Sequence, residues 1–304
     1  MMCGSYFAAL DIGGTHARLA LQIPGEHVRY IDREGFTLLQ NGVEDVKRRL
    51  AALFSEPLQT MDMTPEQCIC LCCGAAGVDD ESSRRQYTQL FLELGFPADK
   101  VQVYNDCELI LAEYGKPALL VATGTGSLTM SRGADGRMYR SGGWGYLTSD
   151  YGSACRIALD ALARAVRAWD GVCAAPVLLE LLKDRNITSA LEAETFARSC
   201  FADKRKLAAL APLVCQAAAL GDPQAAQVLQ QQALFLGQDA VNAAKQANLE
   251  KTVVLLWGSL LTQTDALRVP LMAYLESEIG AVELPVEKTA LEAALLLAQK
   301  SNYT

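Results

Sequence analysis

Apolar residues open the chain in short bursts. Tyr6–Ile12 and Ala17–Ile23 are the first two, and a Pro24-Gly25 turn separates the second from Val28–Ile31. Three such runs with turn residues between them predict a three-strand meander. Val43, Val46, Leu50, Leu53 and Phe54 then recur at the spacing of an amphipathic helix. A strand over Cys68–Cys73, a helix over about Ser82–Leu94, a short strand at Val101–Tyr104 and a helix over about Cys107–Tyr114 follow, the last ending at Gly115. After Lys116-Pro117 the same order begins again: Ala118–Ala122, Leu128–Ser131, then Arg137–Arg140 beyond an Asp135-Gly136 turn. An Ala- and Leu-rich helical stretch from about Cys155 to Ala247 intervenes. A strand at Val253–Leu256, a helix over about Gln263–Ile279, a short strand near Val282 and a last helix from about Lys288 complete the chain. Each half is a meander followed by alternating helices and strands, which predicts a duplicated α/β protein with a cleft between its halves.

Composition sharpens this picture. The 304 residues suffice for two buried cores. With 51% hydrophobic and 20% charged residues the chain is globular rather than disordered, and a net charge of −8 gives it no electrostatic reason to bind nucleic acid or anionic lipid. No apolar run approaches the roughly 18 residues of a membrane span. The N-terminal residues carry neither a basic region nor a signal-length apolar core, so a soluble cytoplasmic protein is expected. Ten cysteines are too few for a disulfide scaffold. Cys70 and Cys73 have the CxxC spacing of a metal or iron–sulfur site, but only two histidines, His16 and His27, exist and no second CxxC completes a ligand set. On a strand, residues three apart point to opposite faces, so these thiols are expected to pack as small hydrophobes.

Two glycine turns stand in equivalent places. Asp11-Ile12-Gly13-Gly14-Thr15 turns the first meander and Thr123-Gly124-Thr125-Gly126-Ser127 the second. Glycines there let the backbone approach a bulky anion and reach positive φ without strain. Successive N–H groups make an anion-binding concavity, to which the hydroxyls of Thr15, Thr125 and Ser127 add donors. One such hairpin is simply a tight turn; two facing each other across a cleft would clamp a polyphosphate. Neither is a Walker A loop.

Asn105-Asp106 ends a strand and opens a helix. Its carboxylate either caps the helix or points into the cleft as the base that takes an acceptor hydroxyl's proton in phosphoryl transfer. In the segment Ser141–Ser153, Trp144 stands among glycines. Its indole either faces the apolar side of a sugar ring or lies buried under the loop. Asp150 either accepts from sugar hydroxyls or caps the helix starting near Ser153.

DIGGT (11–15), ND (105–106), TGTGS (123–127), GGWGYLTSDYGS (142–153) and LLWGS (255–259) together resemble the N-acetylglucosamine kinase branch of the BadF/BadG-type ATPases. That branch lies within the acetate-and-sugar-kinase/heat-shock/actin superfamily. The motifs come in the family's order and span nearly the whole chain. The resemblance implies a duplicated RNase-H-like, actin-like ATPase fold with two domains around a nucleotide cleft. They would be residues 1–116, onto which a final helix at about 288–304 packs, and 117–287, with a helical insertion at about 155–247. It implies an ATP-dependent sugar kinase acting on a hexosamine-type sugar, with Mg²⁺, and is compatible with a homodimer. Carried over by position, Gly13, Gly14 and Thr15 form one phosphate loop and Gly124, Thr125 and Gly126 the other. Asp106 is the catalytic base; Asn105, Ser127, Trp144, Gly145 and Asp150 line the sugar site. Gly258 and Ser259 fall where the family holds the adenosine, and Asp11 lies near the Mg²⁺.

The chain departs from the family pattern at Leu128, Ser149 and Tyr151, where small polar residues, Gly and Glu are usual. The segment Phe36–Gly42 lacks an Asn where the family commonly places one, and Thr289–Ala294 lacks a common Gly-Ala pair. The phosphate-binding motifs are intact while several substrate contacts differ. Two other functions share this fold. One is a dehydratase-activating ATPase with an iron–sulfur cluster, for which the cysteines speak; it usually carries Gly-Gly-Gln-Asp where this chain has Gly-Gly-Trp-Gly. The other is a non-catalytic sugar or nucleotide sensor, for which the changes at Leu128 and Tyr151 speak.

Overall fold

The computed structural model describes residues 4–201, 203–286 and 288–301. The chain divides into two compact units: one runs to Gly115 and takes in the C-terminal helix, the other is Lys116–Val286.

In the first unit, β1 (Tyr6–Ile12), β2 (His16–Gln22) and β3 (Arg29–Glu34) form the antiparallel meander. β4 (Cys68–Ala75) and β5 (Val101–Tyr104) add in parallel on the other side of β1, giving the order β3-β2-β1-β4-β5. α1 (Leu38–Thr60) and α2 (Glu81–Glu93) supply Val46, Leu50, Leu53, Phe54, Tyr87, Leu90 and Phe91 to a core built on one sheet face, with Tyr6, Leu10 and Ile12. α3 (Asp106–Tyr114) packs on β4 and β5, and the C-terminal helix packs beside it on β1 and β4.

The second unit repeats the topology. β6 (Ala118–Thr123), β7 (Ser127–Arg132) and β8 (Met138–Ser141) are antiparallel, and β9 (Val253–Trp257) and β10 (Val282–Pro285) join in parallel, in the order β10-β9-β6-β7-β8. Among the described residues the helical stretch between β8 and β9 is six helices: α4 (Ala154–Trp169), α5 (Pro176–Lys183), α6 (Ala190–Ser199), α7 (Lys204–Ala208), α8 (Ala211–Ala219) and α9 (Pro223–Gln246). Pro176 and Pro223 at first helical positions and the caps Ser189, Asp203 and Asp222 set these breaks. The helix expected over about 263–279 is α11 (Asp265–Ile279); a short α10 (Ser259–Gln263), not anticipated, precedes it, and Thr264 takes an extended conformation between them. The last helix, α12 (Ala290–Lys300), begins behind a Thr289/Glu292 capping box. No helix among the described residues is long and apolar enough to cross a membrane.

The cysteines of β4 divide as a strand requires. A register shift where Cys68 and Cys70 face Tyr6 and Phe7 leaves Ile69 as the extra residue. Cys68 and Cys73 thereby lie in the core shared with Tyr6 and Tyr87, a core that Cys70 and Cys72 do not join. All four are buried and free, and burial raises each thiol's pKa.

Candidate active site

The residues singled out in the first unit gather at the C-terminal ends of β1, β4 and β5. Asp11, Gly74 and Tyr104 stand in register across the three strands, and the chain passes from Tyr104 straight into Asn105-Asp106. Gly74 has to be glycine, because an added Cβ would run into the Leu109 side chain of α3. That approach seats the first turn of α3 against the sheet. Asn105 is the helix cap: its Oδ1 accepts from the Cys107 N–H at 3.0 Å, and Glu108 reaches back to the Asn105 N–H at 3.2 Å. Asp106 is the first helical residue and also accepts from the Cys107 N–H at 3.0 Å. The cap therefore belongs to Asn105.

Asp79, in the turn after β4, was not anticipated from sequence. It accepts from Asn105 Nδ2 at 3.4 Å, so the amide is held at both ends. Its sequence signal is the carboxylate directly after the Gly77-Val78 turn. Burial raises the Asp106 carboxyl above its ordinary value and Asp79 repulsion adds to this. Asp11 is pushed up to about 6, first by burial and next by Asp106, against the opposing pull of Arg18, whose Nη1 lies 3.7 Å away. A carboxyl whose folded pKa exceeds its unfolded value of 3.8 binds more protons folded, so stability falls as pH rises from about 4 to about 6. Asp11→Asn is accordingly expected to match the parent in denaturant midpoint at pH 4 and to exceed it at pH 7. Equal midpoints at both would remove the burial penalty.

The Gly13–Thr15 turn is closed by the Gly13 N–H, which donates to the His16 carbonyl at 2.8 Å. The N–H groups of Gly14 and Thr15 have no backbone partner among the described residues. Neither Gly13 nor Gly14 has positive φ, and the same holds for Gly124 and Gly126. The expectation of left-handed glycines in these loops is corrected. Gly14 and Gly126 are crowded instead: an added Cβ would lie 3.1 Å from Gln40 Oε1 in one and 3.0 Å from Asp150 Oδ2 in the other.

In the second unit, β6 and β9 are neighbours with Ala122 opposite Trp257, so Thr123-Gly124 and Gly258-Ser259 leave the sheet side by side. Thr123–Ser127 turns back with the Gly124 N–H donating to the Gly126 carbonyl at 2.8 Å. The loop hangs from the start of α4: Ala154 and Cys155 N–H groups donate to the carbonyls of Gly124 at 2.9 Å and Thr125 at 3.3 Å. Ser127 Oγ donates to the Tyr151 carbonyl at 2.8 Å.

Ser153, not Asp150, caps α4, accepting from the Arg156 N–H at 3.1 Å. Asp150 is buried in a left-handed conformation, φ 51°, and accepts from the Gly145 N–H at 2.8 Å. Burial raises its pKa; the Gly145 N–H, Lys204 and Arg140 pull the other way. Trp144 is 65% exposed rather than buried under its loop. Arg140 lies over its ring, 4.0 Å from the centroid, and donates to the carbonyls of Gly142 at 3.1 Å and of Gly143. The guanidinium covers part of the indole, and the rest of the side chain is largely exposed. Gln232 of α9 is fully buried and holds the loop from below, accepting from the Gly152 N–H at 2.7 Å and donating to Asp160 at 2.6 Å. Arg140 and Gln232 were also missed from sequence. Gln232 had a signal, as the polar residue in the apolar stripe Val228, Leu229, Ala233, Leu236.

The departures from the family pattern are structural neighbours of these residues. Leu128 is buried directly beneath Gly143, and Tyr151 packs on Phe235 at 4.9 Å under the Arg156 guanidinium.

A model of the BadF/BadG/BcrA/BcrD ATPase family matches residues 10–294. Over 268 residues the chain is 29% identical to the N-acetylmuramic acid/N-acetylglucosamine kinase of Clostridium acetobutylicum, covering 86% of this chain and 87% of that one. The solved structure of a Chromobacterium violaceum protein provisionally named N-acetylglucosamine kinase superposes with a TM-score of 0.74 at 25% identity, over 97% of this chain and 99% of the other. A ROK family glucokinase from Streptomyces griseus, solved with glucose and AMPPNP, shares the fold at 16% identity with a TM-score of 0.58, over 97% and 99% of the two chains.

Proposed function

Because the chain belongs to the BadF/BadG/BcrA/BcrD ATPase family, we propose that it is an ATP-dependent sugar kinase transferring the terminal phosphate to a hydroxyl of a hexosamine-type sugar. The observation that carries this is Asp106, a carboxylate at the first position of α3 behind the Asn105 cap, which burial pushes above its ordinary value although the Cys107 N–H it accepts from pulls the other way. A carboxylate with a raised pKa is the stronger base, and a positioned base contributes about 10²–10⁴-fold. The Clostridium relative, by its name a kinase of N-acetylated amino sugars, supports the substrate class.

In the proposed reaction Asp106 takes the proton of the sugar hydroxyl. The hydroxyl oxygen bonds to the terminal phosphorus as the bond to the ADP oxygen breaks and ADP leaves with its electron pair. Gly13, Gly14 and Thr15, with Gly124, Thr125 and Gly126, hold the phosphates through N–H and hydroxyl donors. Gly258 and Ser259 hold the adenosine. Asn105, Ser127, Gly145 and Asp150 orient the sugar, and Trp144 offers its exposed indole to the apolar side of the ring.

The carboxylates suit Mg²⁺. Asp11, 21% exposed, carries a charge that Arg18 only partly balances beside Asp106. No set of three or more His, Cys, Asp or Glu ligands for a metal lies among the described residues. That donor set fits an ion that keeps several waters and meets one carboxylate, Asp11. When bound, Mg²⁺ supplies charge neutralisation on the phosphate oxygens.

The test is coupled ADP release across amino sugars and their N-acetyl forms. ADP release that depends on one of these sugars is expected; ATP hydrolysis indifferent to every sugar would overturn the kinase assignment.

A further inference from the structure

The turn that follows β3 carries a side chain with no role so far. Thr37 caps it, accepting from the Gln40 N–H at 3.2 Å, while the Thr37 N–H donates to Asn41 Oδ1 at 3.1 Å. Gly42, at φ 74° and ψ 165°, interrupts α1 one turn in, so residues 38–41 are a turn of their own. That turn is tied to the first glycine loop just upstream. The Gly35 N–H donates to the Thr15 carbonyl at 2.9 Å, and a Cβ on Gly35 would overlap the Gly13 carbonyl.

The result is that the exposed Gln40 side chain lies over Gly14, whose absent Cβ would sit 3.1 Å from Gln40 Oε1 and 3.3 Å from Nε2. Neither amide atom has a hydrogen-bond partner among the described residues, although Thr37 and Asn41 beside it are both engaged. An uncommitted double donor is thus held against the loop that presents the Gly14 and Thr15 N–H groups.

We propose that Gln40 is a phosphate-contacting residue, its Nε2 donating to an oxygen of the terminal phosphoryl group of ATP where that group meets Gly14 and Thr15. This rests on the kinase assignment above. A neutral amide suits the position because it donates to a phosphate oxygen without adding charge, and hydrogen bonds to charged acceptors are the stronger kind. ADP lacks the group contacted, so Gln40 favours the triphosphate over the diphosphate.

Titration calorimetry of the full chain with AMPPNP and with ADP, both with Mg²⁺, reads this directly. Gln40→Ala is expected to weaken AMPPNP about 10-fold or more and leave ADP unchanged. Gln40→Glu sets a carboxylate against the triphosphate and should weaken AMPPNP further, the more so at low salt. Gln40→Met, of equal length but without the amide, should behave as the Ala variant. An AMPPNP-to-ADP affinity ratio equal to the parent's in the Ala or Met variant overturns the proposal. A parent that binds neither nucleotide overturns the kinase assignment itself, before any variant is made.

Discussion

Asp106→Asn is expected to keep nucleotide binding and to lower sugar phosphorylation by about 10²-fold or more. The amide preserves the shape of the carboxyl group, and the cap of α3 survives because Asn105 supplies it. What is lost is the ability to accept a proton. A second readout separates chemistry from damage. Asp106 is the largest cause after burial of the raised Asp11 pKa, so the variant should titrate Asp11 at lower pH, visible by carboxyl NMR. Turnover at the parental rate would take Asp106 out of the reaction, whatever the Asp11 titration showed.

Gly258→Ala should be the most destabilising of the substitutions considered. Gly258 sits at φ 100° between β9 and α10, and a Cβ there would overlap the Thr123 carbonyl oxygen of β6 and lie 3.2 Å from the Thr123 nitrogen. The obstacle is backbone in a neighbouring strand, so no rotamer relieves it. A left-handed non-glycine costs about 1–3 kcal/mol and overpacking typically costs a further 1–3, which places the loss at about 3 kcal/mol or more. Gly124→Ala is the control, since it has no positive φ and nothing within 4 Å of its added Cβ. Denaturant midpoints should separate the two variants widely. A Gly258→Ala midpoint equal to that of Gly124→Ala would mean that β6 and β9 shift apart freely. Hydrogen exchange should place the opening in β6, β9 and α10 of Lys116–Val286.

The strands were legible because their signal is local. Tyr6–Ile12, Val101–Tyr104 and the β6 core are apolar runs between turn residues; the first two form with the expected bounds, and pairing extends β6 by one residue to Thr123. The strand and helix repeat was legible for the same reason. The breaks that divide the stretch between β8 and β9 into helices were less so, because in an Ala- and Leu-rich stretch only proline and capping residues mark a boundary. Among site residues, the glycine loops, Asn105-Asp106 and the Trp144–Asp150 segment carried their own signals. Asp79 and Gln232 did not identify themselves as partners, since the groups they hold lie 26 and 80 residues away along the chain; Gln40 meets Gly14, and Arg140 the Trp144 ring, only through the folding of their loops.

What the sequence determined by itself was the duplicated α/β order and the positions of two glycine turns, one carboxylate and one tryptophan. Each is written in residue type and spacing over a few turns of chain. Tertiary structure alone decided which of Asn105 and Asp106 caps α3, that Arg140 covers a face of Trp144, and why Gly258 must be glycine. Those outcomes depend on hydrogen bonds and steric limits between groups that only folding brings within a few ångströms of each other.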